Sequence, residues 1–175
     1  MIKRLLTLAV LVMVAMFCVT GCGNDKKSAE QTTFASSLYA AKNPYIENTS
    51  ANNDLARLVG VNSYGKYTLS VQDDEHPYTL QIRFMYLHGD TDLTTMDQNM
   101  VNIATLLLAL IDDCEQVSWS YPGDSGLVEG AVGVDYIKET LGTDVKAAGQ
   151  DEASFTALCD RLYPDKAASA ETTDQ

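Results

Sequence analysis

The chain has 175 residues, of which 12 are basic and 24 acidic, so its formal net charge at neutral pH is −12. This charge excludes a protein that binds nucleic acid through an overall positive charge, while the length is sufficient for one domain with its own core. Anionic lipid headgroups also repel such a chain, so attachment to a membrane would need a separate anchor.

The first 21 residues have the form of an export signal. Two basic residues precede an apolar run from Leu5 to Val19, and small residues then lead to a cysteine. The tetrapeptide Val19–Cys22 resembles the lipobox of bacterial lipoproteins, in which the signal is cut before a cysteine that receives lipid. We therefore predict a lipoprotein signal peptide over residues 1–21 and lipidation of Cys22, with a plain secretory signal or an uncleaved anchor as alternatives.

The segment after Cys22 is polar, rich in small residues and without periodicity. This composition predicts a flexible tether over residues 22–35, followed by a single extracytoplasmic domain over residues 36–163. The small and polar residues 164–175 predict a disordered tail. The protein would then sit on the outer face of the bacterial cell membrane, held there by lipid on Cys22.

The first elements of the domain are a short helix and two strands. Ser50 can cap a helix in which Leu55, Leu58 and Val59 share a face and which Gly60 ends. Lys66–Gln72 and Tyr78–Tyr86 alternate apolar with polar residues, as strands with one buried face do. The buried faces are predicted to carry the following residues: Tyr67, Leu69, Val71, Tyr78, Leu80, Ile82, Phe84 and Tyr86. The charged five-residue link between the strands, Asp73 to Pro77, suits a hairpin loop.

The next segment predicts the central helix of the fold, from Thr95 to about residue 112. Thr95 and Gln98 have the spacing of a capping box, and apolar residues recur at intervals of three and four. From Leu106 to Ile111 no polar residue remains, so this half should be covered on all sides. Asp112 and Asp113 follow, where acids oppose the helix dipole, so we expect them to face water or a basic partner.

After the central helix the chain predicts one clear strand, one weaker strand and two further helices. Val117, Trp119 and Tyr121 alternate with serines, whereas the strand from about Leu127 to Val134 is rich in glycine. Asp135 can cap a helix that Gly142 ends, and Asp151 can cap a last helix closed by Pro164. We predict an α+β fold: a small antiparallel sheet of three to four strands, with helices packed on one face and the central buried helix at about 95–112.

Two cysteines of the predicted domain, Cys114 and Cys159, lie on the inward faces of their helical patterns. They are expected to be either two buried hydrophobic side chains or, in an oxidising compartment, a disulfide.

Several stretches resemble the bacterial family called domain of unknown function 4825, over Leu38 to about Tyr163. They are KNPYIEN with the helix after it, HPYTLQIRF, LLLALIDDCEQVSWSY and YIKETLGTDVKAAGQDEASF. The resemblance implies an extracytoplasmic domain of a kind found behind lipoprotein signals or attached to membrane regulators, such as anti-sigma factors and antirepressors. The family has no catalytic motif, so the resemblance implies no active-site residue.

Two groups of residues have the chemistry of a site, but their context argues against one. Gly123–Gly126 spells the tetrad around a serine-protease nucleophile, with His76 and His88 as potential bases, yet that fold needs two six-stranded barrels and the tetrad is ordinary turn sequence. Near His88, a set of acids could offer ligands to a cation: Asp90, Asp92 and Asp97. The calcium-loop spacing is absent, so we predict no catalytic residue, no metal and no cofactor.

The outer face of the predicted sheet would be polar and nearly uncharged, which is unusual in so acidic a chain. The residues predicted for a partner surface there are Arg83, Gln81, Thr79, Ser70, Ser118 and Ser120. Such groups suit a partner protein of the envelope or a sugar polymer, while an idle solvated face is the alternative. We therefore expect a non-catalytic binding or sensing domain in envelope regulation. The competing hypotheses are an envelope hydrolase with an unrecognised site and a structural or inhibitory lipoprotein that caps a partner.

Overall fold

The computed structural model describes residues 33–164, and the fold is given for that range. The predicted signal peptide, Cys22 and residues 165–175 lie outside it. The described elements, in chain order, are α1 Phe34–Tyr39, α2 Thr49–Leu58, a 3-10 turn Val61–Ser63, β1 Gly65–Gln72, β2 Thr79–Leu87, α3 Leu93–Leu110, β3 Gln116–Gly123, β4 Gly126–Gly133, α4 Val134–Leu141, α5 Val145–Ala148 and α6 Glu152–Leu162. Helix α1 begins inside the segment predicted to be the tether. Between residues 33 and 164, no helix combines the length and the apolar character needed to cross a membrane.

The four strands form one mixed sheet in the order β1-β2-β3-β4, which confirms the α+β prediction. The outer pairs, β1 with β2 and β3 with β4, are antiparallel hairpins. The central pair is parallel, with Leu80 opposite Val117 and Ile82 opposite Trp119, so the prediction of an antiparallel sheet is wrong for this pair. The reason is that α3 carries the chain from the end of β2 back to the start of β3, and such a crossover makes the two strands parallel.

Helix α3 forms the core, as predicted. Its residues from Ile103 onward are buried on every side, and the helix packs against β3, β4, α5 and α6. Helix α3 begins before Thr95, however, because Asp92 is the N-cap: its carboxylate accepts a hydrogen bond from the backbone N–H of Thr94 (2.9 Å). A carboxylate at this position also compensates the positive end of the helix dipole, so the predicted capping box at Thr95 is not the start.

The other helix starts were predicted with mixed success. Asp151 caps α6 as predicted, by accepting from the N–H of Ser154 (2.8 Å). Asn48 rather than Ser50 caps α2, and Leu58 of that helix is exposed instead of buried. Helix α4 follows β4 directly from Gly133, so Asp135 lies in its first turn rather than at the cap. Two candidate caps close together in sequence cannot be ranked without the tertiary contacts that orient the chain before them.

Strand β4 contains three glycines, and at one of them, Gly130, the inner face of the sheet leaves no room for a side chain beside Trp119. A Cβ on Gly130, which pairs with Trp119, would lie 2.4 Å from the atoms Cε2 and Cζ2 of the indole ring. The ring therefore lies flat across β4, and Val117, Trp119 and Tyr121 are buried as predicted. The strand predicted at about Leu127–Val134 is confirmed at Gly126–Gly133.

Candidate functional site

The face of the sheet that points away from α3 is open to solvent and is the candidate functional site. Among the residues predicted for a partner surface, the exposed ones come from β1 and β2, whereas Ser118 and Ser120 of β3 are half-buried between neighbouring strands. Across the hairpin, the hydroxyl of Ser70 donates to Oε1 of Gln81 (3.1 Å). The structure thus brings together five of the six residues predicted for a partner surface: Arg83, Gln81, Ser70, Ser118 and Ser120. We call this side of the sheet the outer face.

Thr79 does not belong to this surface, and its prediction was wrong. Its side chain is buried, with 6% of its surface exposed, and its hydroxyl donates to the carbonyl oxygen of Pro77 (2.8 Å). The hydroxyl is therefore drawn back toward the preceding loop and is already used within the chain.

Tyr86 was predicted to be buried, yet 54% of its surface is exposed. A bulge explains the difference: Tyr67 pairs with Phe84 but Lys66 pairs with Tyr86, so Met85 is an extra residue in β2. A bulge shifts the alternation of faces by one residue, so Tyr86 leaves the buried set. Together with Met85 and Leu127, each 56% exposed, it adds apolar surface at one end of the sheet.

The outer face also carries a charge that the sequence reasoning missed. Arg83 pairs with Ser120, which in turn pairs with Glu129 of β4, and both charged side chains are exposed. The signal that could have found Glu129 is the alternation of Leu127, Glu129 and Ala131 with the inward residues of β4. The glycines obscured this alternation, since they contribute no side chain to the pattern.

The serine-protease tetrad is a hairpin turn. Asp124 and Ser125 connect β3 to β4, and no hydrogen bond within residues 33–164 joins Ser125 to His76 or His88. His76 instead lies in the loop that precedes β2, at the end of the sheet away from this turn. Its Nδ1 is 2.7 Å from Oε2 of Glu115, and its ring stacks on Tyr78. The tetrad and the histidines are therefore not assembled into one site.

The acids near His88 also have separate structural positions. Asp92 caps α3, whereas Oδ1 of Asp97 accepts from Nε1 of Trp119 (3.2 Å) and from the hydroxyl of Tyr121 (3.3 Å). In the part of the chain that the structure describes, no group of three or more histidine, cysteine or acidic side chains has the arrangement of a metal site.

Asp112 and Asp113, which were expected to face water or a basic partner, are both held by this domain. The carboxylate of Asp112 pairs with Lys42 (2.9 Å), and Oδ1 of Asp113 accepts from the N–H of Ile46 (2.7 Å). These contacts fasten the KNPYIEN segment to the end of α3. Because each carboxylate has a partner, its unfavourable position relative to the helix dipole is compensated locally.

Cys114 and Cys159 are buried thiols in the structure, so the disulfide alternative is not formed. The thiol of Cys114 donates to the carbonyl oxygen of Gln116 (3.2 Å). Burial raises the pKa of Cys114 to about 11, which keeps the group protonated at neutral pH. A thiol in this state is a poor nucleophile and a poor metal ligand, so Cys114 is a core residue.

Comparison with known families gives one match. The family described as a domain of unknown function (DUF4825) matches residues 38–133, from the last turn of α1 to the end of β4. No curated protein and no solved structure matches the chain. The match stops before the Tyr136–Phe155 pattern that also resembled the family. Since it nevertheless covers more than half of the sequence, the chain belongs to the DUF4825 family.

Proposed function

We propose that this chain is a lipid-anchored lipoprotein on the outer face of a bacterial cell membrane, and that it acts by binding or sensing in envelope regulation rather than by catalysis. The observation that carries the proposal is the open outer face, whose exposed polar groups surround Arg83 in an otherwise acidic chain. Such a surface can be recognised through hydrogen bonds together with the positive charge of Arg83. The binding partner on this proposal is a protein of the envelope.

The anchoring part rests on the sequence before the domain. Two basic residues, an apolar run and the tetrapeptide Val19–Cys22 follow one another as in lipoprotein signals. Acyl chains on Cys22 would hold the protein firmly, because each buried methylene contributes about 0.8 kcal/mol. An anionic chain needs such an anchor at an anionic membrane.

The preference for binding over catalysis rests on the positions of the reactive side chains. His76 is paired with Glu115, and Asp97 accepts two hydrogen bonds from the core residues Trp119 and Tyr121. Asp92 is occupied as a helix cap. Each of these groups is explained by the stability of the domain, which favours a binding module.

The anchor is tested by growing cells that express the full chain with labelled palmitate. We expect label on the wild-type protein and recovery with the membranes, and neither for Cys22→Ser. Cys18→Ser is the matched control, since it changes a cysteine within the predicted signal peptide. Label on Cys22→Ser, or none on the wild type, would contradict the anchor.

Binding is tested by placing a photo-crosslinking amino acid at Gln81 in membrane-bound protein. We expect a crosslinked species that Arg83→Glu reduces at least tenfold. Arg57→Glu, which changes an exposed arginine on α2, should leave it unchanged. Separate alanine substitutions of His76, His88 and Ser125 should also leave it unchanged. If Gln81 gives no crosslink, or if Arg83→Glu has no effect, the outer face is not the binding surface.

A further inference from the structure

The outer face has a pattern that becomes visible when residues are followed across the strands. One row holds Gln81, Ser118 and Ala131, and the next holds Arg83, Ser120 and Glu129. Beyond these rows Pro122 pairs with Leu127, and the exposed Met85 follows the last pair of β2 with β3, Arg83 with Ser120, at the same end of the sheet. Strand β3 therefore forms a central line with complementary residues on either side.

The three pairs across this line have complementary character. A cation on β2 has an anion on β4 in the same row, and an exposed methionine on β2 has an exposed leucine on β4. The third pair is a polar residue beside a small one. A rotation of 180° about a line parallel to β3 exchanges β2 with β4 while keeping every row in place. A second copy turned in this way presents Glu129 to Arg83 and Leu127 to Met85.

We propose that two copies of this chain pack outer face to outer face, related by a two-fold axis that runs along β3. The contact is isologous, so each copy contributes the same patch and the pair closes on itself. The two sheets lie about 10 Å apart, as stacked sheets do. Arg83 of each copy then pairs with Glu129 of the other, and Met85 packs against Leu127 of the other.

The distribution of charge explains why the copies would meet at this face. The chain as a whole is strongly acidic, so two copies repel each other over most of their surface. The strands contribute two basic residues and one acidic residue to the outer face, namely Lys66, Arg83 and Glu129. This is therefore a surface on which a second acidic copy is not repelled. The ion pairs set the orientation, and burial of the exposed apolar side chains drives the contact.

The size of the overlap predicts a weak association. With the axis along β3, three strands of each sheet overlap and β1 extends beyond the partner, so the buried area falls at the low end of specific interfaces. Confinement of both copies to one membrane raises their effective concentration and compensates for this. In that respect the inference rests on the proposed function, because it uses the proposed anchor and deepens the role of the outer face.

A residue close to the two-fold axis lies next to the same residue of the second copy, which gives a direct test. The full chain carrying Ser120→Cys is treated in membranes with a short bismaleimide. The matched control is Ser70→Cys, which lies on the same face but two strands from the axis, so that its two copies are about 20 Å apart. We expect at least tenfold more covalent dimer from Ser120→Cys than from Ser70→Cys or from the wild type, whose other cysteines are unchanged. Equal yields would overturn the proposal.

Charge reversal then tests the pairing itself. In the Ser120→Cys background, Arg83→Glu alone or Glu129→Arg alone should reduce the dimer at least tenfold, and the two together should restore it. Glu139→Arg, on the exposed surface of α4, should leave the yield unchanged. Failure of the double variant to restore the dimer, with its circular dichroism spectrum unchanged, would overturn the pairing.

The outcomes also separate this inference from the proposed function. If Ser120→Cys crosslinks to a different envelope protein and not to itself, self-association is wrong while binding through the outer face stands. If palmitate labelling fails but concentrated protein still forms the Ser120→Cys dimer, the anchor is wrong and self-association stands.

Discussion

The ammonium group of Lys146 lies 2.7 Å from the carbonyl oxygen of Ile111, at the end of the buried helix α3. It also donates to the carbonyl oxygen of Leu108 (2.6 Å). The last carbonyl groups of a helix have no partner within the helix and carry its negative dipole end, so the half-buried ammonium group of Lys146 both donates to them and compensates the dipole. Burial lowers the pKa of Lys146, while the neighbouring Cys114, Asp112, Asp113 and Glu115 act to raise it. This contact explains how a helix ends inside the core beside two aspartates.

Lys146→Met is expected to lower the free energy of unfolding by about 2 kcal/mol, because two buried carbonyl groups lose their donor while the length of the side chain is kept. Lys138→Met, at an exposed position on α4, should change it by less than about 0.5 kcal/mol. Urea unfolding followed by circular dichroism measures both. Equal stability of the two variants would show that Lys146 does not cap α3.

Stability at acid pH should depend on Glu115. The hydrogen bond with His76, followed by the one from the N–H of Tyr78, lowers the pKa of Glu115 below its ordinary value of 4.5. A carboxyl group whose pKa is lowered by folding stabilises the fold above its unfolded pKa, and this contribution is lost as the pH falls through the folded pKa.

The difference in unfolding free energy between the wild type and Glu115→Gln should therefore shrink as the pH is lowered from about 6 to about 3. It should stay below about 1 kcal/mol, since solvent screens this exposed pair. The control is Glu139→Gln, because it removes an exposed carboxylate of α4 that has no hydrogen-bond partner within residues 33–164. A difference that grows toward acid pH would contradict the assignment.

A buried amide should hold the KNPYIEN segment against α2. Asn52 is fully buried, its carbonyl oxygen accepts from Nδ2 of Asn43 (2.9 Å), and its own amide donates to the carbonyl oxygen of Ile46. Asn52→Ala leaves the carbonyl oxygen of Ile46 without its donor and removes one of the two bonds of the Asn43 amide, which keeps its bond to Tyr45. It should cost about 2–3 kcal/mol in unfolding free energy. Asn53→Ala, next to it on the exposed side of α2, should cost much less. Similar losses for the two variants would exclude a special role for the network.

The contact between α3 and the turn after α5 should tolerate no side chain at Gly149. A Cβ there would lie 1.9 Å from the carbonyl oxygen of Ala109, a backbone atom that cannot move aside alone. Gly149→Ala should therefore lower the unfolding free energy by about 1–3 kcal/mol. Gly89→Ala is the control, since no atom lies within 4 Å of the added carbon. Thermal unfolding that is the same for both variants would disprove the close approach.

Cys114 should resist alkylation while the protein is folded. Burial and the raised pKa of about 11 leave the thiol both inaccessible and protonated. Iodoacetamide treatment followed by peptide mass spectrometry should modify Cys114 in urea and not in native buffer. Modification in native buffer, or a peptide in which Cys114 is linked to Cys159, would contradict the structure.

The parts of the fold that the sequence predicted correctly are those that depend on neighbours along the chain. The run without polar residues from Leu106 to Ile111 predicted a fully covered helix, and it is buried on all sides. Alternation in three strands predicted their inward faces, and Asp151 was correctly chosen as the cap of α6. Each of these patterns is a direct consequence of helix or strand geometry.

The candidate site was predicted in part for the same reason. Alternation alone placed Arg83, Gln81 and Ser70 on one face, because the period of a strand determines the side on which a residue lies. It failed for Thr79, whose hydroxyl bonds to the preceding loop, and for Tyr86, which a bulge moves to the other face. Neither a local hydrogen bond nor an extra residue in a strand changes the pattern of residue types.

What the sequence by itself determined is therefore the type of each main element and the face it buries, since both follow from spacings of a few residues. The tertiary structure alone decided that β2 and β3 run parallel, that Lys146 reaches Ile111, and that Glu129 lies in the same row as Arg83. Alternation is the same for parallel and antiparallel partners, and contacts between residues tens of positions apart leave no local periodicity. They depend on how α3 returns the chain across the sheet, which is set by burial of the whole core.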